Sequence, residues 1–124
     1  MSFFQIISVF DDELEDKYLV IKLSGDVNIH YRIEMESFFQ KKLRTNFKDV
    51  IIDMSEVKYI DSVGLAVLIN VYKKVVAQRK RFYLVGLSDR VRKVFKMSGL
   101  EKILDIYETI DSLKADLLVD EEKK

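Results

Sequence analysis

Apolar positions in the middle of the chain fall into two successive patterns. Val50, Ile51, Ile52 and Met54 are nearly continuous and mostly β-branched, which predicts a strand with both faces covered. From Val63 the period lengthens. Val63, Val67, Val71 and Val75 form one i, i+4 stripe, and Leu65, Leu68, Ile69, Tyr72 and Val76 form a second beside it. The helix they predict leaves only a narrow side for water, so it must pack on a sheet. Between strand and helix, residues 53–62 read as a polar loop, and Asp61 and Ser62 at its end are both good N-cap residues.

The rest of the pattern extends this alternation. Phe3 to Phe10 and Tyr18 to Leu23 predict two strands. The acidic run Asp11 to Asp16 lies between them as a solvated hairpin turn; it lacks the glycine-anchored spacing of a calcium loop. Ser24-Gly25-Asp26 is expected to end the second strand. Met35, Phe39 and Leu43, with Phe38, recur at helical spacing over about Tyr31 to Arg44. Beyond the central helix, Phe82 to Val85 predicts a short buried strand, and Ser88 caps a helix from Asp89 to about Met97 that Gly99 stops. A last strand around Leu104 to Tyr107 precedes a helix opened by Thr109 and carrying Ile110, Leu113, Leu117 and Leu118. Strand, strand, then repeated helix and strand specify an α/β fold with a mixed, mostly parallel sheet, an N-terminal hairpin and about four helices. Phe3 to Phe10 would be an edge able to pair with a neighbour.

Composition narrows the function. The 124 residues suit one domain, expected over 1–119, with a charged tail at 120–124 that should fray. Cysteine is absent and His30 is the single histidine, which removes thiolate chemistry and a multi-histidine metal site within one chain. His30 has no evident proton-transfer partner and reads as a loop residue. Acidic and basic residues balance, so no direct nucleic-acid partner is expected, and the basic turn Gln78 to Arg81 reads as compensation of a helix dipole. No apolar run is long enough to insert in a membrane, which points to a soluble, non-exported domain. A serine nucleophile has no base and no elbow motif, and Gly64 stands alone where a phosphate-cradling loop needs several glycines. The chain is therefore expected not to be an enzyme and to need no cofactor. An exposed hydroxyl, Ser62, remains as the leading candidate, with the plainer alternative that it only caps the helix.

The run Asp53-Met54-Ser55-Glu56-Val57-Lys58-Tyr59-Ile60-Asp61-Ser62-Val63-Gly64-Leu65 resembles the signature of the STAS domain, in particular of bacterial anti-sigma factor antagonists of the sporulation and general-stress type. Leu23-Ser24-Gly25-Asp26 and Val94-Phe95-Lys96-Met97-Ser98-Gly99-Leu100 match in the expected order, and the likeness spans about Ile6 to Leu118. The resemblance implies the STAS fold and a cytoplasmic partner-switching role in transcription regulation and stress response. The unmodified antagonist binds an anti-sigma factor that is also a serine kinase and so frees a sigma factor. The kinase phosphorylates the serine after the motif aspartate, here Ser62 after Asp61, and a metal-dependent serine phosphatase restores it. Asp26, Asn28, Asp61, Ser62, Val63 and Gly64 would contact the partner.

Phosphorylation would add a charge of about −1.5 to −2 at a helix amino terminus, where the dipole tolerates it while a docked partner meets repulsion. Two positions depart from the family pattern: Val63 replaces a frequent second serine, and Asn28 replaces a frequent acid, which bears on kinase choice. Ser55 and Ser98 read as turn and capping residues. The alternatives are an accessory STAS subunit of an ABC lipid-transport system, and a nonphosphorylated STAS scaffold or nucleotide-binding regulator.

Overall fold

In the computed structural model, residues 2–14, 17–45 and 48–122 are described. The sheet begins as a hairpin, with β1 (Phe4–Val9) antiparallel to β2 (Tyr18–Val27). Each later strand lies parallel to the one before it: β3 (Asp49–Ile60), β4 (Phe82–Val85) and β5 (Asp105–Tyr107), in the spatial order β1-β2-β3-β4-β5. The strands thus step always in one direction. α1 (Arg32–Arg44), α2 (Ser62–Ala77) and α3 (Asp89–Met97) join these strands and pack in one core on one face, as crossovers of the usual right hand between strands stepping in one direction require. α4 (Ile110–Glu122) follows the last strand and covers the other face.

Side-chain alternation along the strands divides the core accordingly. Ile21, Leu23, Val50, Ile52 and Leu84 pack with Phe39, Leu68, Val71 and Phe95 of the three helices. Val20, Ile51, Tyr83 and Val85 pack on the opposite side with Leu14 and with Leu113 of α4. The near-continuous apolar run of β3 is buried on both faces, as its composition predicts. β1 forms an outer edge on which Ile7 and Val9 are partly exposed, flanked by exposed Phe3 and Phe10.

Two expectations need correction. Residues 53–60 are not a loop: β3 continues to Ile60, leaving Asp61 as the whole connection to α2. The register with β2 shifts twice, with Lys22 and Ser24 opposite Asp53 and Glu56, and Gly25 and Asp26 opposite Val57 and Tyr59. Each shift inserts an extra residue in β3, so the buried residues Met54, Val57 and Ile60 recur at intervals of three rather than two. β2 likewise does not end at Gly25 but runs to Val27. Gly25 has φ +87°, and a Cβ there would lie 2.0 Å from the Phe3 carbonyl oxygen, so the glycine permits a crossing of backbones inside a continuing strand.

α3 and its Ser88 cap fall where expected, the Ser88 hydroxyl accepting from Val91 N–H at 3.2 Å. α2 ends with the N–H groups of Arg79 and Lys80 bonded to the carbonyls of Val76 and Val75, and Arg79 takes the left-handed position of that motif at φ 62°. The hairpin turn is less solvated than its acidity implies. Leu14 is buried, and Lys114 of α4 lies 2.6 Å from Asp11 and 3.3 Å from Glu13. Glu15, Asp16, Lys123 and Lys124 lie outside the described residues, and with them part of the predicted turn and tail.

Candidate functional site

Ser62 opens α2 as its first helical residue, with its side chain exposed. The cap is Asp61. Its Oδ1 accepts from Gly64 N–H at 2.8 Å, its carbonyl accepts from Leu65 N–H at 2.9 Å, and its Oδ2 accepts from Ile29 N–H at 3.0 Å. Asp61 N–H donates to the Val27 carbonyl at 3.1 Å. One half-buried residue therefore ties together the end of β2, the end of β3 and the first turn of α2. Among the described residues the Ser62 hydroxyl has no hydrogen-bond partner, so the capping role weighed for it belongs to its neighbour.

Gly64 explains how close these parts can come. It is buried, and a Cβ built on it would lie 2.2 Å from the Val27 carbonyl oxygen and 2.8 Å from the carbonyl carbon. Backbone cannot yield as a side-chain tip can, so any larger residue would push the start of α2 off the end of β2. Val63 is half-buried on the adjacent turn.

Asn28 follows β2 and shapes a 3₁₀ turn, Ile29–Tyr31, its Oδ1 accepting from His30 N–H at 3.0 Å. The turn delivers Ile29 N–H to Asp61, so Asn28 and Asp61 belong to one hydrogen-bonded corner. Asp26 stands apart. It exchanges hydrogen bonds with Phe3, donating N–H to the carbonyl at 2.7 Å and accepting at Oδ2 from Phe3 N–H at 3.3 Å, and so fastens the chain entering β1. Asp53 accepts from Ser55 N–H at 2.9 Å within β3, away from the bonds of Asp61. His30 is exposed. Ser98 bonds the Phe95 carbonyl at 3.1 Å at the end of α3, and Ser55 lies exposed on β3.

The corner also has members that the sequence pattern did not single out. Ile29 is 58% and Ile33 79% exposed, an apolar pair one turn apart that begins beside Asp61. Ile33 is out of phase with Met35, Phe39 and Leu43, which was the available signal. Tyr59, two residues before Asp61, is half-exposed beneath the guanidinium of Arg90 at 5.5 Å from its ring centroid. An exposed apolar residue, Ile29, bonded through its N–H to the residue before a free hydroxyl makes a surface suited to contact another protein and sensitive to charge placed on it. Among the described residues no cluster of His, Cys, Asp or Glu could hold a metal ion, and no helix is long and apolar enough to cross a membrane.

Comparison with known proteins agrees with this architecture. An anti-sigma-B factor antagonist of Staphylococcus aureus is 26% identical over 94 residues, covering 76% of this chain and 87% of the relative. An anti-sigma factor antagonist from Mycobacterium paratuberculosis superposes with a TM-score of 0.74 at 25% identity, covering 87% of this chain and 90% of the other. The Bacillus cell fate determinant SpoIIAA in its phosphorylated form shares the fold with a TM-score of 0.65 at 20% identity, covering 90% and 97%. Residues 9–113 match the STAS domain, and the chain belongs to that family, among relatives named as anti-sigma factor antagonists.

Proposed function

We propose that the protein is an anti-sigma factor antagonist, a binding module without catalysis of its own whose partner is chosen by the phosphorylation state of Ser62. Unmodified, it sequesters a cytoplasmic anti-sigma factor that is also a serine kinase, releasing a sigma factor. Transfer of the ATP γ-phosphoryl group to the Ser62 oxygen, with loss of the hydroxyl proton, ends that binding, and a serine phosphatase restores it by hydrolysis. The observation that carries the proposal is the division of labour between Asp61 and Ser62. Asp61 performs the capping, while the adjacent hydroxyl is exposed and without structural duty.

The physical consequence is a modification that the fold tolerates and the interface does not. A phosphate at the first residue of α2 gains from the helix dipole, an effect of about 0.3–1 kcal/mol. A partner seated on Ile29 and Ser62 would have to desolvate that dianion beside the Asp61 carboxylate. Asn28, engaged in a backbone contact, acts mainly by holding the corner in shape, while Asp26 holds the chain entering β1.

Incubation with the candidate kinase and ATP, followed by phosphosite mapping by mass spectrometry, tests the assignment. The expected result is a single phosphate on Ser62. Ser62→Ala should remain bound to the kinase whether or not ATP is present, and Ser62→Asp should bind poorly while melting close to wild type. Equal binding by the two variants would sink the mechanism.

A further inference from the structure

α1 and α2 follow parallel strands through crossovers of one hand, so they run in the same direction and end at the same pole of the molecule. Between them a groove of about 410 Å³ opens over Phe39, Leu43, Val67 and Val71. It continues past Leu43 into a second hollow of about 480 Å³ that reaches Arg44 and Ala77. The floor is apolar and recessed, none of its four residues being more than 8% exposed. The rim is cationic. Arg44, Lys73 and Lys74 line it, and its acidic residue, Glu36, is neutralised by Arg32 at 3.1 Å. Among the described residues those three cations have no ion-pair partner. Helix-dipole compensation accounts for Arg44 and Lys74 in the last turns but not for Lys73 or for the hollow beneath.

We propose that this groove docks an acidic amphipathic helix of a protein partner, on a surface separate from Ser62. The apolar floor asks for apolar side chains at helical spacing, and the rim asks for carboxylates flanking them. A flat bilayer cannot reach a floor set below its rim, and no aromatic ring stands on the rim to stack a base. The lined stretch of α1, Glu36 to Arg44, is about 12 Å long at 1.5 Å per residue, so the occupant contributes two to three turns. Along α2 the groove begins at Val67, about 7.5 Å from Ser62, but its cations lie farther off, Lys73 at about 16 Å, some two screening lengths at physiological salt. Charge at Ser62 is therefore screened from the cationic rim that selects the occupant, and the domain can keep one partner while exchanging another.

The test uses the full chain and a fluorescein-labelled synthetic peptide of about 12 residues, with Leu at i, i+3, i+4 and i+7 and Glu between. Its scrambled isomer serves as the control, and vesicles of phosphatidylcholine with phosphatidylserine, together with duplex DNA, serve as competing classes. Anisotropy gives affinity and amide NMR shifts give location. The expected result is binding of the patterned peptide with shifts confined to the facing sides of α1 and α2, weakened by salt. It should fall at least about tenfold in the triple variant Arg44→Glu, Lys73→Glu, Lys74→Glu and remain unchanged in Ser62→Asp. The milder triple glutamine variant, with a thermal melt, separates lost charge from lost fold. Equal binding of the scrambled peptide, shifts elsewhere, tighter binding to vesicles or DNA, or no binding would each overturn the proposal.

Discussion

On one face of the sheet, α1, α2 and α3 lay Met35, Phe39, Val71 and Phe95 into a core continuous from Leu23 to Leu84; on the other, a single helix, α4, brings Leu113 down on Val20, Ile51 and Tyr83, joined by Leu14 of the hairpin turn. The first face is held by apolar area contributed from many elements. The second adds polar fasteners near its margin: Lys114 to Asp11 and Glu13, and the Tyr107 hydroxyl donating to Asp116 at 2.9 Å. The difference teaches that the face carrying Ser62 is redundant in its support, whereas the covering helix depends on few contacts and on charge state.

The largest expected effect falls on the redundant face. Phe95 is fully buried, and Phe95→Ala should cost about 3–5 kcal/mol in denaturant unfolding, lowering the midpoint for all elements together. Leu113→Ala should cost about 2–5 kcal/mol, yet native-state hydrogen exchange should find α4 amides opening while β3 and α2 stay protected. Simultaneous opening of both faces would erase the distinction. Gly64→Ala should cost about 1–3 kcal/mol through the clash with the Val27 carbonyl and, under the proposed mechanism, should weaken binding of the kinase in a pull-down titration because α2 starts from a shifted position.

The smallest effect is a pH dependence confined to the α4 face. Burial alone would raise the Asp11 pKa, but the Lys114 ammonium and the N–H groups of Leu14 and Glu13 outweigh it and hold the carboxyl below its ordinary value. The hydrogen bond from Lys114 to Asp11 raises the ammonium above its ordinary value in spite of burial. Burial and the bond to Asp116 push Tyr107 up to about 12. The depressed Asp11 stabilises the fold above the ordinary carboxylate value of 3.8, and this is lost as pH falls through its folded pKa. Lys114 stabilises fully below its ordinary value of 10.5, and this is lost as pH rises through its folded pKa. Tyr107 resists ionisation, so its contribution declines from the ordinary value of 10 to about 12. Thermal melts should show a plateau between these limits, and Lys114→Met should shrink both shoulders, leaving the Tyr107 share of the alkaline one.

Much of this was legible along the chain. α3 with its Ser88 cap and β4 matched their predicted limits because periodicity and punctuation agreed locally. The far half of β3 did not, since its two bulges replaced the alternation of a strand with a spacing of three that looks like neither strand nor helix. The choice between Asp61 and Ser62 as cap was closed to sequence because both residue types cap well; only the position of the first helical turn decides it. Lys114 gave no local sign of its task. Its partners lie about a hundred residues away in the acidic turn, which by composition alone reads as solvated.

The single-residue joint at Asp61 leaves no slack between a strand and the helix it launches. A joint so short cannot act as a hinge, and whatever is attached to Ser62 rides on a rigid corner. Under the proposed mechanism the message is thus written in charge rather than in shape. Docking the same backbone onto the kinase with and without the phosphate should reproduce the discrimination, with no rearranged conformer required.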